Sequence, residues 1–495
     1  MPLSPKIHRL FATAAAVACA AVPLGGVTAQ STTGAVQAIS AKEKAQGAEY
    51  HPQLLAEFGG GMTGPQALYI ESIGKKIAVQ SGLSNAQGDF TVTLLNSSVD
   101  NAFAIPGGYI YTTRQLVALM NSEAELAGVL GHEVGHVAAR HSARRQNAAT
   151  RNQVVGILGA VLAGALLGNS QAAQILQQGF LQGSQILTLK YSRGQENEAD
   201  KLGIEYLRRA GYDPRAMSTV LASLANQNAL SARLMGAGAN RVPEWASTHP
   251  DPAKRVSTTA RLAGATAKGV TNRDTFLNNI NGLLYGDDPV QGIVEGGKFV
   301  HPVDKFAFQA PQGFFLMNGT RAVSINGQSG KGQLTAAPFN GDLDGYVRSV
   351  FAALGQQNRI TISPGAVQRT TVNGIPAAYA TARVAQQGGG AIDVTVFAYQ
   401  MGTANALHFL TMAQAGQTGV FDPMFASMRR ISAAEAAAVK PRKLVVVTVK
   451  KGDTVQSLAG RMAYSDAPLD RFLVLNGLNA GATLAPGQRV KLITY

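Results

Sequence analysis

One short stretch, Gly131 to His136 (Gly-His-Glu-Val-Gly-His), constrains the fold of this chain more than any other. Upstream of it, Ser122 is followed three positions later by Glu125, the pattern of a capping box that starts a helix. Apolar side chains then recur at helical spacing and predict a buried stripe; they are Leu126, Val129, Leu130, Val134 and Val137. The sequence therefore predicts an amphipathic helix that contains the whole stretch.

Two histidines of this helix are candidate metal ligands. His132 and His136 lie one turn apart on the same face, where both imidazoles can reach one ion. Glu133 lies beside them, within range of a water on that ion, and this spacing is the signature of zinc metalloproteases. The alternative is an accidental pair of core histidines, but only eight His occur in 495 residues. A third ligand would decide between the two interpretations.

The best candidate for a third ligand is Glu196, which follows His136 by 60 residues. The sequence predicts a helix that begins near Glu196, with Asp200 one turn further along. Taken alone, Glu196 could be an ordinary acidic residue at a helix N-terminus. In combination with the two histidines it completes a site with three protein ligands and one open position, which is the catalytic type.

Residues 1–29 have the pattern of a secretory signal peptide. Lys6 and Arg9 precede an apolar run, Leu10 to Leu24, and the segment ends in Val27-Thr28-Ala29, a small-x-small cleavage pattern. The apolar run is shorter than the roughly 20 residues that a membrane span needs. We therefore expect an exported, periplasmic protein.

The one cysteine, Cys19, lies inside this segment. Cleavage after Ala29 would leave a mature chain without disulfides or thiolate ligands, so a metal site must use His and carboxylate side chains. The alternative is a lipoprotein that is anchored through Cys19. Ala16-Val17-Ala18 matches the usual lipoprotein signal poorly.

The charge of the chain indicates its kind of partner. The formal net charge is +14, or +12 without Lys6 and Arg9, and a basic surface suits lipid headgroups or wall polymer. The export signal and the lack of a nucleic-acid-binding motif argue against nucleic acid. No charge appears from Asn152 to Leu189, and within this stretch the apolar run from Val154 to Leu167 is too short to cross a bilayer. It indicates a buried or lid-forming helical hairpin, or a peripheral membrane contact.

Changes in composition along the chain predict several domains. Residues 30–48 are expected to be a mobile lead-in, and residues 49–295 a mainly helical domain that contains both histidines. Residues 296–435 alternate short strand-like runs with Gly-rich turns, which is typical of an α+β domain, and no catalytic constellation is found there. An Ala/Lys/Pro linker at residues 436–444 then leads to a small module at residues 445–495.

Four motifs in the first of these domains resemble those of a known family. The motifs are Asn101-Ala102-Phe103-Ala104-Ile105-Pro106-Gly107-Gly108, the helix of His132, Glu196-x-Glu198-Ala199-Asp200, and Thr248-His249-Pro250. In this order they resemble the zinc metallopeptidases related to the HtpX and CAAX prenyl proteases, and within them the soluble periplasmic BepA-like branch. The resemblance covers roughly residues 45–260 and implies a gluzincin fold.

The resemblance implies a role for each matching residue. It implies that one Zn²⁺ per chain is held by His132, His136 and Glu196. Glu196 is favoured over Glu198 because the first acid of this run is the ligand in the family. Glu133 would be the general base. Asp200 would be the partner of a ligating histidine.

Further residues follow from the same resemblance. His249 would be a loop histidine that can fill the open zinc position and so regulate the site. Arg255 would either stabilise the transition state or support the structure. An edge that pairs with an extended peptide substrate is also implied; its residues are Asn101, Ala102, Phe103, Ala104 and Tyr109.

The C-terminal module resembles a second family, the LysM domains. The matching segments are Val446 to Ala459, Leu473 to Leu478 and Leu484 to Leu492. They predict the order strand, Thr454-capped helix, second helix, strand. The resemblance implies binding to peptidoglycan through residues 445–495, and a module that serves only for packing is the alternative.

Taken together, the sequence predicts a multidomain chain: a mainly α (α+β) gluzincin metallopeptidase domain, then an α+β domain, then a small βααβ LysM domain. The resemblance implies a periplasmic zinc metalloendopeptidase in quality control of envelope or outer-membrane proteins. Its substrates would be misfolded or unassembled envelope proteins. The alternative is a wall-bound chaperone or adaptor whose metalloprotease site is idle or self-inhibited by His249. The LysM module alone would also suit a peptidoglycan hydrolase.

Overall fold

A computed structural model describes residues 36–142, 144, 191–235, 249–358, 360–385 and 390–495. The predicted signal peptide with Cys19 and the uncharged run from Val154 to Leu167 lie outside the described residues. What the sequence predicts for these segments stays a prediction. Within the described ranges, no helix is both long and apolar enough to cross a bilayer.

Helices and one small sheet form the part that contains the candidate site. The helices are α1 (Ala41–Glu57), α2 (Pro65–Ala78), α3 (Arg114–Leu119), α4 (Glu123–Ala138), α5 (Arg193–Arg209), α6 (Ala216–Met235), α7 (Pro252–Ala263) and α8 (Arg273–Ile280). The strands of the sheet are β1 (Thr91–Leu95), β2 (Ala102–Ile105) and β3 (Tyr109–Thr113). β3 lies in the middle, parallel to β1 and antiparallel to β2, so β2 is an edge strand.

Helix α4 is the predicted metal-binding helix, and all of its residues over Glu123–His136 are buried. It begins where the sequence predicts, because the Ser122 side chain accepts a hydrogen bond from the Glu125 N–H (3.2 Å). The Glu125 carboxylate accepts instead from the Asn121 N–H (2.6 Å), so the reciprocal half of the capping box is missing. α4 packs against α2, α5 and α6, and Leu126→Ala in this core would cost about 2–5 kcal/mol.

The structure differs from the sequence-based prediction at the start of this part. Residues 41–48, predicted to belong to a mobile lead-in, are the first turns of α1. Ser40 and Glu43 form a capping box there. Gly47 lies so close to the Tyr109 ring that an added Cβ would be 2.5 Å from it. The composition of the segment gave no sign of a contact with one distant ring.

A second part, built around two antiparallel sheets, follows the helical one. Its strands are β4 (Leu284–Tyr285), β5 (Ile293–Glu295), β6 (Lys298–His301), β7 (Phe306–Gln309), β8 (Phe315–Asn318), β9 (Val323–Asn326), β10 (Gly330–Pro338), β11 (Gln368–Val372), β12 (Ile375–Ala385), β13 (Ala391–Tyr399), β14 (Asn405–Gln414) and β15 (Arg429–Arg430). Its helices are α9 (Leu343–Asn358) and α10 (Asp422–Ser427). β4 alone joins neither sheet; it pairs with a later strand.

The larger of these sheets has the order β11-β12-β13-β14-β10-β9-β8, and the smaller one β15-β7-β6-β5. Helix α9 covers one face of the larger sheet through a cluster that includes Val347 and Phe351. An aromatic-rich cluster that includes Phe308 and Phe409 fills the other face, on the side of the smaller sheet. This arrangement of sheets and helices is the α+β organisation that the sequence predicts.

The C-terminal module has the predicted βααβ order. A short helix, α11 (Ala433–Ala438), precedes the module. The elements of the module are β16 (Arg442–Thr448), α12 (Val455–Ala459), α13 (Pro468–Leu475) and β17 (Arg489–Thr494). Thr454 caps α12 as predicted, because its side chain accepts a hydrogen bond from the Ser457 N–H (3.0 Å). β16 pairs with β17 inside the module and with β4 outside it.

The segment predicted as a linker, residues 436–444, does not separate the module from the rest of the chain. Most of it lies in α11 and β16, and Leu444 is fully buried. One hydrophobic cluster contains Leu126 of α4 together with Leu444, Phe472 and Leu492. The module is therefore docked on the helical part through a shared core, and composition alone could not reveal this packing.

A buried lysine crosses the same boundary. Lys491 of β17 is 0% exposed. Its ammonium donates hydrogen bonds to the carbonyl oxygens of Ala118 (2.7 Å), Leu119 (3.2 Å) and Met120 (2.6 Å) at the end of α3. These carbonyls have no partner within a short helix, so the module supplies the donors that cap α3.

Candidate metal centre

Close approach of α4 and α5 sets the geometry of the site. A Cβ added at Gly203 of α5 would lie 3.1 Å from the His132 backbone nitrogen. A Cβ added at Gly135 of α4 would lie 3.2 Å from the Ala199 carbonyl oxygen. A side chain at either position would make a Cβ contact tighter than most that proteins show, so glycine favours this close approach of the two backbones. The approach places side chains of both helices around one point.

Three predicted ligands meet at that point. The Nε2 atoms of His132 and His136 are 3.0 Å apart. The Glu196 carboxylate lies 3.6 Å from His132 Nε2 through Oε2 and 3.5 Å from His136 Nε2 through Oε1. Ligand atoms of a tetrahedral zinc site, with bonds of about 2.0–2.1 Å, are about 3.3 Å from one another. The three side chains therefore have the spacing of a zinc-binding His-His-Glu site.

The protonation chemistry of these residues fits a cation as well. Burial lowers the pKa values of His132 and His136, so both rings are neutral and can act as ligands. Burial raises the pKa of Glu196 to about 7 and that of Glu133 to about 8. Among the described residues, nothing donates a hydrogen bond to the buried Oε1 atom of either carboxyl group. A nearby cation would keep both groups ionised at neutral pH.

His249 belongs to the same centre. It is 2% exposed, and its ligand atom lies within 4.8 Å of those of His132, His136 and Glu196. Its Nε2 atom is also 3.3 Å from Glu133 Oε1. The structure thus brings the predicted loop histidine to the open side of the three-ligand site, next to the candidate base.

Asp200 and Arg255 contact the side chains of the ligands. Asp200 Oδ1 is 3.0 Å from His132 Nδ1. The Arg255 guanidinium donates to Asp200 Oδ2 (2.8 Å) and also to the Glu196 carboxylate. Burial opposes ionisation of Asp200, but hydrogen bonds from Arg255 and His132 lower its pKa to about 2. Arg255 lies on α7 and is 5% exposed, and it contacts one ligand, Glu196, and the acid beside the ligand His132, Asp200.

The sequence analysis did not identify His141 as a residue of the site. If α4 continued as a helix to His141, this residue would lie away from the metal-binding face. The helix ends at Ala138, and Arg140 adopts a left-handed conformation (φ 54°) that turns the chain back. His141 Nδ1 then lies 2.7 Å from His136 Nδ1. On its other side, His141 Nε2 lies 3.1 Å from Glu198 Oε2. Helical periodicity cannot reveal a contact made after the helix has ended.

The predicted substrate edge falls mainly on the edge strand β2. Ala102 and Ala104 face the core that contains α4, and Phe103 stacks on Tyr111 at 4.6 Å between ring centroids. Asn101 precedes the strand and donates its N–H to Thr113 Oγ1 (3.1 Å). Tyr109, the fifth predicted residue, lies on β3, where it pairs with Ile105. The edge itself therefore consists of residues 102–105.

Comparisons with known proteins match two segments of the chain. The profile of peptidase family M48 matches residues 65–263, and that of the LysM domain matches residues 447–492. The beta-barrel assembly-enhancing protease of Yersinia pestis is 34% identical over 192 residues, and that of Escherichia coli (strain K12) is 33% identical over 192 residues. The mitochondrial metalloendopeptidase OMA1 of Schizosaccharomyces pombe is 30% identical over 217 residues.

These matches cover only part of each protein. The two bacterial alignments span 38% of this chain and 37% of the relative. The alignment with the fission-yeast protein spans 43% of this chain and 59% of the relative. All ligands of the His-His-Glu site lie inside the matched segment. Residues 65–263 therefore form a peptidase family M48 domain with an intact metal site of the zinc-binding type, and residues 447–492 form a LysM domain.

Proposed function

We propose that this protein is a zinc-dependent metalloendopeptidase, with His132, His136 and Glu196 as ligands and Glu133 as the general base. The observation that carries the proposal is the convergence of three ligand side chains, whose nearest ligand atoms are 3.0–3.6 Å apart in each pair, with the Glu133 carboxyl group on the adjacent residue of the same helix. The names of the relatives, a protease and a metalloendopeptidase, support the same activity.

The chain's own residues account for the remaining chemistry. Bound zinc would supply a Lewis acid that polarises the peptide carbonyl and acidifies a water. Glu133, kept ionised by the cation, would accept a proton from a water at the site and pass it to the departing amine. An extended substrate would pair with the edge strand β2, next to α4, by β-augmentation.

Glu133→Gln tests this proposal. Loss of the base should lower casein cleavage by about 10²- to 10⁴-fold, while elemental analysis still finds one zinc per chain because every ligand remains. Glu196→Ala should lower zinc content and cleavage together. The matched control is Glu205→Gln, an exposed acid on α5 that pairs with Arg209. Cleavage by Glu133→Gln at the wild-type rate would contradict the mechanism.

We also propose that the protein acts in the cell envelope, on misfolded or unassembled envelope proteins, and contacts peptidoglycan through its LysM domain. The signal-peptide pattern of residues 1–29, the LysM domain and the relatives named for β-barrel assembly support this role. The full-length protein should co-sediment with insoluble peptidoglycan and not with cellulose. A protein that stays in the supernatant with both would contradict wall binding. Glu133→Gln would serve as the trap with which substrates are identified.

A second candidate function is an adaptor whose site is blocked by His249, and the position of this residue within 4.8 Å of the ligands favours it. A fourth protein ligand would make the site the closed, structural kind. Cleavage would then require the loop to move away. His249→Ala should raise basal cleavage or cause self-degradation with zinc still bound. A clean loss of activity would assign His249 to transition-state stabilisation, and unchanged activity would leave it a packing residue.

A further inference from the structure

We propose that His141 is a positioning residue for the metal ligand His136, and that it acts through a chain of hydrogen bonds which continues to Glu198 and Arg144. The inference rests on the proposed function, because it concerns how tightly the site holds zinc. His141 is 0% exposed and lies between a ligand and an acid that does not itself reach the centre.

The distances define the chain. His136 Nδ1 and His141 Nδ1 are 2.7 Å apart, and His141 Nε2 is 3.1 Å from Glu198 Oε2. Arg144 closes the chain by donating to both oxygens of Glu198, at 3.1 Å each. Tyr191 stacks on the face of the His136 ring at 3.6 Å between centroids. The ring of this ligand is therefore held at its face and at its edge.

The positions of the protons follow from the geometry. The Nε2 atom of His136 faces the metal centre, so a ligating ring carries its proton on Nδ1. That N–H can donate only if His141 Nδ1 accepts, which places the proton of His141 on Nε2. The His141 Nε2–H then donates to the Glu198 carboxylate. One arrangement of protons satisfies every contact, and it makes His136 a stronger electron donor to the metal.

The other histidine ligand is held differently. His132 Nδ1 contacts Asp200 directly at 3.0 Å, and Arg255 donates a hydrogen bond to that carboxylate. In both cases an acid of α5 paired with an arginine orients a ligand. For His136 the acid is too far away, and His141 fills the gap. Glu198, which is not a ligand, thereby gains a defined task at the site.

Zinc affinity of the purified full-length protein tests this assignment. His141→Phe keeps an aromatic ring but removes the acceptor for His136, so competition with a chelator should show zinc binding that is weaker by about 10- to 100-fold. The absorption spectrum of the Co²⁺-substituted protein should change with it. His141→Gln should restore much of the affinity, because an amide can accept from His136 and donate to Glu198.

His408→Phe is the matched control. This histidine is also buried, at 7% exposure, and also has two hydrogen-bonding partners, Tyr346 and Thr335, but it lies in the larger sheet. It should lose thermal stability and keep wild-type zinc affinity. If His141→Phe does not fold, Glu198→Gln takes its place. This change weakens the last acceptor of the chain at a half-exposed site, and it should also lower zinc affinity. The melting temperature of each metal-free variant separates lost affinity from lost stability.

The outcomes separate this inference from the proposed function. Wild-type protein that neither binds zinc nor cleaves casein would overturn the proposed function. The role of His141 alone would be overturned by a different result. In that case the wild-type protein binds zinc and cleaves casein, and His141→Phe, or Glu198→Gln in its place, binds zinc with wild-type affinity. An equal loss of zinc affinity in His408→Phe would overturn it too, because the effect would then come from general destabilisation.

Discussion

Three acids of α5 each have a different role at the metal site. Glu196 points at the centre, Asp200 contacts His132 at 3.0 Å, and Glu198 contacts His141 at 3.1 Å. Residues i and i+4 of a helix share a face, so Glu196 and Asp200 both lie toward the metal-binding histidines, whereas Glu198 at i+2 points elsewhere and reaches His141. This spacing explains why an acid two residues from the ligand is not a substitute for it.

A buried histidine of the larger sheet predicts a dependence of stability on pH. Burial lowers the pKa of His408 to about 4, whereas an unfolded chain titrates near 6.5. Between these values the unfolded state binds more protons than the folded one, so stability is full above about pH 6.5 and falls as the pH drops. The free energy of unfolding should fall by about 2 kcal/mol between pH 7 and pH 5 through this residue.

Urea denaturation of wild type and His408→Gln at both pH values measures this contribution. Glutamine does not titrate, so the variant should lose about 2 kcal/mol less than wild type on acidification. Equal losses in the two proteins would mean that His408 is protonated without cost in the folded state.

The ligands could be predicted from the sequence because their signals are local. His132, Glu133 and His136 share one helical turn, and a capping residue marks the start of that helix. Glu196 needed the resemblance as well, since Glu198 is an equally acidic neighbour. His141 could not be predicted, because its contact depends on the left-handed conformation of Arg140.

At the scale of elements, the approach of α4 and α5 makes a prediction about glycine. A Cβ at Gly203 would lie 3.1 Å from the His132 backbone nitrogen and 2.6 Å from the Met217 methyl group. Gly203→Ala should therefore push the helices apart and lower the free energy of unfolding by about 1–3 kcal/mol. Because α4 carries two ligands, zinc affinity should fall as well.

Gly194→Ala is the control on the same helix, since its added Cβ would meet nothing closer than Ser192 Oγ at 3.9 Å. It should be neutral or slightly stabilising. Chemical denaturation and chelator competition measure both variants. If Gly203→Ala behaves like Gly194→Ala, then close packing of α4 and α5 does not set the ligand geometry.

Elements defined by their own residues were predictable, and those defined by distant contacts were not. The βααβ order of the C-terminal module follows from its Thr454 cap, its turns and its apolar runs. The pairing of β16 with β4 could not be predicted, because it joins residues that are far apart in the sequence, Arg442 and Tyr285. For the same reason residues 436–444 had the composition of a linker although Leu444 is buried in a shared core.

At the scale of the whole molecule, the docked LysM domain should support the peptidase domain. The ammonium of Lys491 donates to three carbonyls at the end of α3, so Lys491→Met would take this donor away from three buried acceptors, of which Leu119 O keeps Asn121 Nδ2 (3.2 Å). We expect the free energy of unfolding to fall by about 3 kcal/mol, and removal of residues 445–495 to abolish both folding and cleavage.

Lys443→Met, an exposed lysine on β16, is the control and should change stability little. Circular dichroism with thermal denaturation, together with casein cleavage, measures the variants and the truncated chain. A truncated chain with wild-type cleavage would show that the LysM domain is a separable module, as the predicted linker had suggested.

The capping of α3 by Lys491 also has a consequence for biosynthesis. The two partners are 373 residues apart in the chain, and a ribosome adds about 5–20 residues per second, so the lysine is made about 20 to 75 s after the helix it caps. Until then the nascent peptidase domain lacks part of its core. If the peptidase domain needs residues 445–495 to fold, as the truncated chain would show, then the hydrolytic site is completed only after the last strand of the chain has been made.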